Sequence, residues 1–68
     1  MNTDAIEEAK ATLNKVYPHY NDKDRAVAID TLPSHYSEIM SGKKGFSLRV
    51  IRVLVSIGAD AGLMIRSR

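Results

Sequence analysis

The sequence holds no cysteine, which excludes a disulfide framework and any thiolate metal site. Stability must then come from packing, whether within one copy or shared with a second. No apolar run approaches the ~18 residues that a bilayer crossing needs, so no membrane span is expected. Met1 to Asp4 carry no basic stretch followed by an apolar one, so no secretory signal is read there and a cytoplasmic location is the expectation. There is no glycine-rich phosphate loop, and the two histidines, His19 and His35, lack the i, i+4 pairing of a metal-binding helix. The serines have no His and Asp partners at recognisable spacing, and Glu7 and Glu8 lie side by side on a solvated turn. The expectation is a protein with no catalytic residue, no metal, no cofactor and no small-molecule ligand: not an enzyme.

What is present fits one small soluble domain. The 68 residues are 44% hydrophobic and 26% charged, and a chain of this length does not divide into two cores. Its charge is unevenly placed. Residues 1–32 hold four basic and six acidic side chains, 4 − 6 = −2, and residues 33–68 hold six basic and two acidic, 6 − 2 = +4. A basic second half suits a polyanionic partner, because neutralising phosphates supplies most non-specific nucleic-acid affinity.

Every readable segment is helical. Ile6, Ala9, Leu13 and Val16 recur at spacings of three and four, which predicts a helix from about Asp4 to Val16 with Asp4 as its cap and Glu7 completing a capping box. Pro18 breaks the pattern. A short helix over Lys23 to Asp30 follows, capped by Asn21 or Asp22, with Ala26, Val27 and Ile29 as the residues expected to be buried. Pro33 opens a third helix with Tyr36, Ile39 and Met40 as its apolar seam, and Gly42 ends it. Ser47 is placed to cap a fourth helix, apolar nearly all round from Leu48 to Ile57. Its β-branched run also suits a buried strand, but the cap, the Arg49, Arg52 and Ser56 stripe and Gly58 favour a helix. Asp60 can cap a last helix over Ala61 to Ile65, with Arg66 to Arg68 fraying.

Two short helices joined by a tight turn, then a glycine stop, a lysine pair and a long apolar helix make a pattern with a physical reading. The first of the short pair braces a second that enters the DNA major groove. The stretch Tyr36-Ser37-Glu38-Ile39-Met40-Ser41-Gly42-Lys43-Lys44-Gly45-Phe46-Ser47-Leu48 resembles the end of the recognition helix, the loop and the next helix start of lambda-repressor-like and Cro-like helix-turn-helix proteins. The resemblance spans about Lys23 to Asp60. It implies an all-α, compact four- to five-helix lambda-repressor-like DNA-binding domain over 1–68, with its helix-turn-helix core at about 23–42. The family usually has Gly in the turn, where this chain has Asp30 or Thr31 and then Pro33. Counted back from Tyr36 without a gap, Ala26 is the small residue of the supporting helix and Arg25 falls in an inward slot. With one residue deleted from the turn, Val27 is the small residue and Leu32 fills the apolar slot after it, and this shortened turn is the reading adopted.

The resemblance implies base readout by Pro33, Ser34, His35, Ser37 and Glu38 and phosphate contacts from Ser41, Lys43, Lys44, Ser47 and Arg49. Each has a plainer reading as a solvated polar face. Glu38 is repelled by phosphates but can accept from a cytosine amine. His35 can add a pH-sensitive phosphate contact, Arg52 can follow the backbone or merely solubilise its helix, and Tyr36 and Phe46 are expected in the core. Leu63, Met64 and Ile65 are dimer contact candidates that can equally cover the core.

The expected function is a sequence-specific transcriptional regulator, a repressor of phage or mobile-element genes in a prokaryotic cell or phage-infected host. It would bind double-stranded DNA as a homodimer on half-sites ~34 Å apart. An antitoxin repressing its own operon belongs to the same physical class. The rival is a helical protein-interaction adaptor, favoured by the modest net charge of +2 and by Glu38.

Overall fold

The computed structural model describes residues 3–66, in which five helices and no strand are found. They are α1 (Thr3–Val16), α2 (Asp22–Ala28), α3 (Pro33–Met40), α4 (Leu48–Ser56) and α5 (Ala61–Arg66). The first helix packs on α5 and α3, α2 on α3, and α4 on α5. Their Cα radius of gyration, 10.4 Å, is close to the ~11 Å expected of a compact chain of this length.

One core joins all five helices. Leu13, Ile29, Leu54, Met64 and Val50 are its largest fully enclosed side chains, and Tyr36, Ile39, Ile51, Phe46 and four alanines (Ala5, Ala9, Ala26 and Ala59) are buried with them. Burying one such aliphatic side chain contributes about 1.5–3 kcal/mol. The exposed ion pair between Arg49 and Asp30, at 3.5 Å, is worth about 0–1 kcal/mol. Apolar packing therefore holds the fold, as a cysteine-free chain requires.

The inward stripe of α1 is rotated from the expected one. Ala5, Ala9, Thr12 and Leu13 are buried, Ile6 is only partly covered and Val16 is exposed. Alanines at positions 5 and 9 leave room for neighbouring helices to approach, so small size and not hydrophobicity selects the face. Asp4 is not the cap, because Thr3 is already helical; it lies in the first turn, where its charge still suits the positive helix end. Ser67 and Arg68, expected to fray, lie outside the described residues, and Arg66 is helical.

Three helices end the same way. After α3, Lys43 N–H donates to the Glu38 carbonyl (2.9 Å) and Gly42 N–H to that of Ile39 (3.2 Å), with Gly42 at φ 83°. This is a Schellman closure. After α4, Ala59 N–H reaches Leu54 O (3.0 Å) and Gly58 N–H reaches Val55 O (3.1 Å), with Gly58 at φ 121°. The same pair of bonds ends α2, from Thr31 to Ala26 (2.9 Å) and from Asp30 to Val27 (3.0 Å). There the left-handed position is held by Asp30 at φ 62°.

This third closure overturns the shortened turn. A short polar side chain tolerates the left-handed conformation better than a bulky one, so Asp30 closes a full four-residue turn (29–32) without glycine. The burial pattern follows the ungapped count. Ala26 is fully buried, whereas Val27 is 68% and Leu32 60% exposed. Val27, expected in the core, faces outward, and Leu32 is the extended N-cap residue of α3.

Asp30→Gly removes the strain and loses only an exposed ion pair, so it should raise the unfolding free energy by about 0.5–1 kcal/mol. Asp30→Ala keeps a Cβ but loses the polar group and should lower it by about 1 kcal/mol. Denaturant unfolding of both variants checks this, and an Ala variant as stable as the Gly one would remove the backbone argument.

Candidate nucleic-acid interface

The third helix shows two opposite faces. Tyr36 and Ile39 point into the core, with Met40 half-buried beside them. Ser34, Glu38 and Ser41, at spacings of four and three, lie opposite and are exposed. Pro33 is exposed at the first helical position, where its missing N–H costs nothing, and His35 is half-covered at the flank. No side chain caps the N-terminus of α3, since Leu32 has none to offer. Ser37 is also exposed, but it borders a cleft between α3 and the α1 and α2 helices.

The residues expected to meet phosphate divide by the local work they do. Lys43 and Lys44 are exposed in the loop leaving α3, and no ion pair among the described residues engages either. Ser41 Oγ donates to the Glu38 carbonyl (3.1 Å), and Ser47 Oγ accepts from Val50 N–H (3.3 Å) as the cap of α4. Both hydroxyls therefore serve helix ends. Arg49 reaches back to Asp30 across the turn. Arg52 borders an apolar groove between α4 and α5 with Leu48, Ile51, Val55 and Ile65.

Of the three dimer contact candidates, Met64 is fully buried and belongs to the core. Leu63 is half-buried, and Ile65 is 62% exposed on the groove. The helix spacing of α5 explains this, because a six-residue helix packed on α1 and α4 needs one large side chain inside to stay docked, and Met64 is its fully buried one.

Two positioning residues escaped the sequence reading. Glu8, expected on a solvated turn, accepts a hydrogen bond from Asp60 N–H at 2.7 Å, while Asp60 Oδ1 accepts from Leu63 N–H at 3.0 Å. Together they pin the start of α5 to α1. The second is Arg25. Its Nη1 donates to Asn14 Oδ1 (2.7 Å), its Nε to the Tyr20 carbonyl (3.1 Å) and its Nη2 to the Tyr17 carbonyl (3.2 Å). The signal for it was Pro18, which stops α1 and leaves nearby carbonyls in need of a donor; stacking of the Tyr17 and Tyr20 rings, 4.5 Å apart, steadies the same bend.

Arg25 also faces Tyr36. Burial raises the Tyr36 phenol above its ordinary value of 10.0, and the Asp22 carboxylate adds to the rise, while the Arg25 charge and its hydrogen bond to the phenol oppose them. The folded state thus prefers the protonated phenol. Its contribution to stability is complete below pH 10 and is lost as pH rises through the elevated value.

Among the described residues no group of His, Cys, Asp and Glu is placed to hold a metal ion, and no helix is long and apolar enough to cross a membrane. No family model, no curated protein and no solved structure matches the chain.

The unfolding free energy of the wild type should fall more steeply above pH 10 than that of Tyr36→Phe. Denaturant titrations of both proteins from pH 8 to about pH 11.5 check this, and parallel curves would mean that Tyr36 does not carry the alkaline loss.

Proposed function

We propose that this chain is a sequence-specific DNA-binding transcriptional regulator with a lambda-repressor-like arrangement, 1–68 forming one domain and about 23–42 its helix-turn-helix core. The observation that carries the reading is α3 itself. It is anchored by Tyr36 and Ile39, bears Ser34 and Glu38 on its open side, and runs into a loop with two exposed lysines. A helix so presented fits a major groove, with Lys43 and Lys44 meeting the flanking phosphates.

Small hydroxyl side chains allow close approach of the helix, and Ser34 at its first turn reaches base edges without a long linker. Glu38 subtracts from general affinity through repulsion by phosphates. In return it accepts from a cytosine amine, so a C·G pair is favoured opposite it. Repression of phage or mobile-element genes, or of an antitoxin operon, follows from occupancy of an operator alone, since the reading assigns no inducer site. Two copies on half-sites ~34 Å apart would place each α3 in successive turns of the same groove. Ile65 and Leu63 remain the candidates for their contact.

A protein-interaction adaptor is the second reading, and the exposed apolar groove between α4 and α5 favours it. Titration against random-sequence duplex at 50 and 200 mM salt separates the two. A regulator loses affinity steeply with salt, and an adaptor has almost none to lose. Lys43→Ala with Lys44→Ala should weaken all duplexes alike and reduce the salt slope by about 2, about one per lysine–phosphate contact. Ser34→Ala should instead relax preference at one position of a selected site. Affinity indifferent to the lysines would remove them from the interface.

A further inference from the structure

On the α1 side of α3 lies an open cleft of about 490 Å³, bordered by Lys10, Asn14, Asp22, Arg25, Tyr36 and Ser37. The way its polar atoms are already used decides what it can accept. Arginine has donors only, so the oxygen of the Asn14 amide must be the atom facing Arg25 Nη1 at 2.7 Å. That fixes the amide orientation and leaves its NH₂ for another partner. The Arg25 charge also faces the Tyr36 phenol, whose proton is free to be donated. The Ser37 hydroxyl has no partner among the described residues, and neither does the Lys10 ammonium. By engaging the Asn14 oxygen, Arg25 leaves Asp22 as the one carboxylate acceptor in a cleft otherwise bordered by donors.

The charge agrees with this count. Lys10 and Arg25 supply two positive charges against the one carboxylate of Asp22. Four donors, Lys10 Nζ, Asn14 Nδ2, Tyr36 Oη and Ser37 Oγ, border one opening, and Ser37 stands where the cleft meets the exposed side of α3. A tetrahedral oxyanion matches such a set better than a cation or a neutral ligand.

We infer that this cleft seats a backbone phosphate of the duplex that α3 enters, with Lys10 and Asn14 of the first helix as its principal contacts. The inference rests on the DNA-binding reading and adds to it a second phosphate anchor, drawn from the acidic half of the chain. It also moves Ser37 from base readout to phosphate contact. The strand would then be gripped beside α3 by Lys10 as well as beyond its end by the Lys43 and Lys44 loop.

The test compares variants of equal charge change against one random-sequence duplex over 50–200 mM salt. Lys10 is exposed, so Lys10→Ala leaves the core intact. Asn14→Asp keeps an oxygen for Arg25 but replaces the free NH₂ with a second acceptor. Lys15→Ala, on the same helix but outside the cleft, removes the same charge. Lys10→Ala should reduce the slope of log affinity against log salt by about 0.9 and affinity about fivefold at 0.15 M. Asn14→Asp should lose at least as much, with Lys15→Ala losing less than about twofold; circular dichroism confirms that each variant is folded. If the wild type binds with a steep salt slope and all three variants behave alike, the cleft holds no phosphate while the DNA-binding reading stands. If the wild type shows no salt-sensitive affinity for duplex, both fall.

Discussion

The grip of Arg25 on the bend between the first two helices is the constraint on which the rest of the arrangement depends. Its guanidinium joins the Tyr17 and Tyr20 carbonyls and the Asn14 side chain. From α2 it therefore fixes the end of α1, and through Tyr36 it meets α3. Lysine, a point charge with no planar fork, could not span these acceptors together. Without that junction, α2 is a seven-residue helix and α3 an eight-residue one, each too short to be stable alone. Their mutual orientation, and with it the presentation of Ser34 and Glu38, is set by contacts and not by intrinsic propensity.

A second constraint sits at the other end of α2. Asp30 in a left-handed conformation lets the chain turn in four residues and start again at Pro33. The same side chain pairs with Arg49 of α4, so the turn is tied to the helix that follows the basic loop. That pair is exposed and weak, and its effect is on Arg49: a guanidinium shared with a carboxylate is a poorer phosphate ligand than the two lysines nearby, which no ion pair among the described residues engages. The electrostatic burden of the proposed interface therefore falls on Lys43 and Lys44, and on Lys10 across the cleft.

Much of this was legible because the signals were local. The Ser47 cap, the Pro33 start, the Gly42 and Gly58 stops and the Asn21 cap, which accepts from Asp24 N–H at 2.8 Å, each act within a few residues. The all-helical composition of the described residues follows from them. Helix spacing puts Tyr36 in the core and the resemblance puts Phe46 under the loop, and both are buried. What failed depended on distant partners or on ranking by hydrophobicity. A shortened turn puts Val27 in the small-residue slot and Leu32 in the apolar slot after it, but Ala26 is the buried residue and both Val27 and Leu32 are exposed. Ile6 lost to Ala5 because the helix face is chosen by fit. Glu8 meets Asp60 across 52 residues, a separation that no local pattern reveals. Exposure of the α3 side chains could be expected from spacing, but their chemical partner could not, because a solvated face and a readout face have the same periodicity.

The most direct test is a two-dimensional amide NMR spectrum of ¹⁵N-labelled protein recorded as duplex is added at low salt and again after salt is raised. The account requires the amides of Ser34, Ser37, Lys43 and Lys44, and the side-chain NH₂ of Asn14, to shift together and to return as salt competes. Shifts confined to the groove of Leu48, Val55 and Ile65, or no shifts at all, would contradict it.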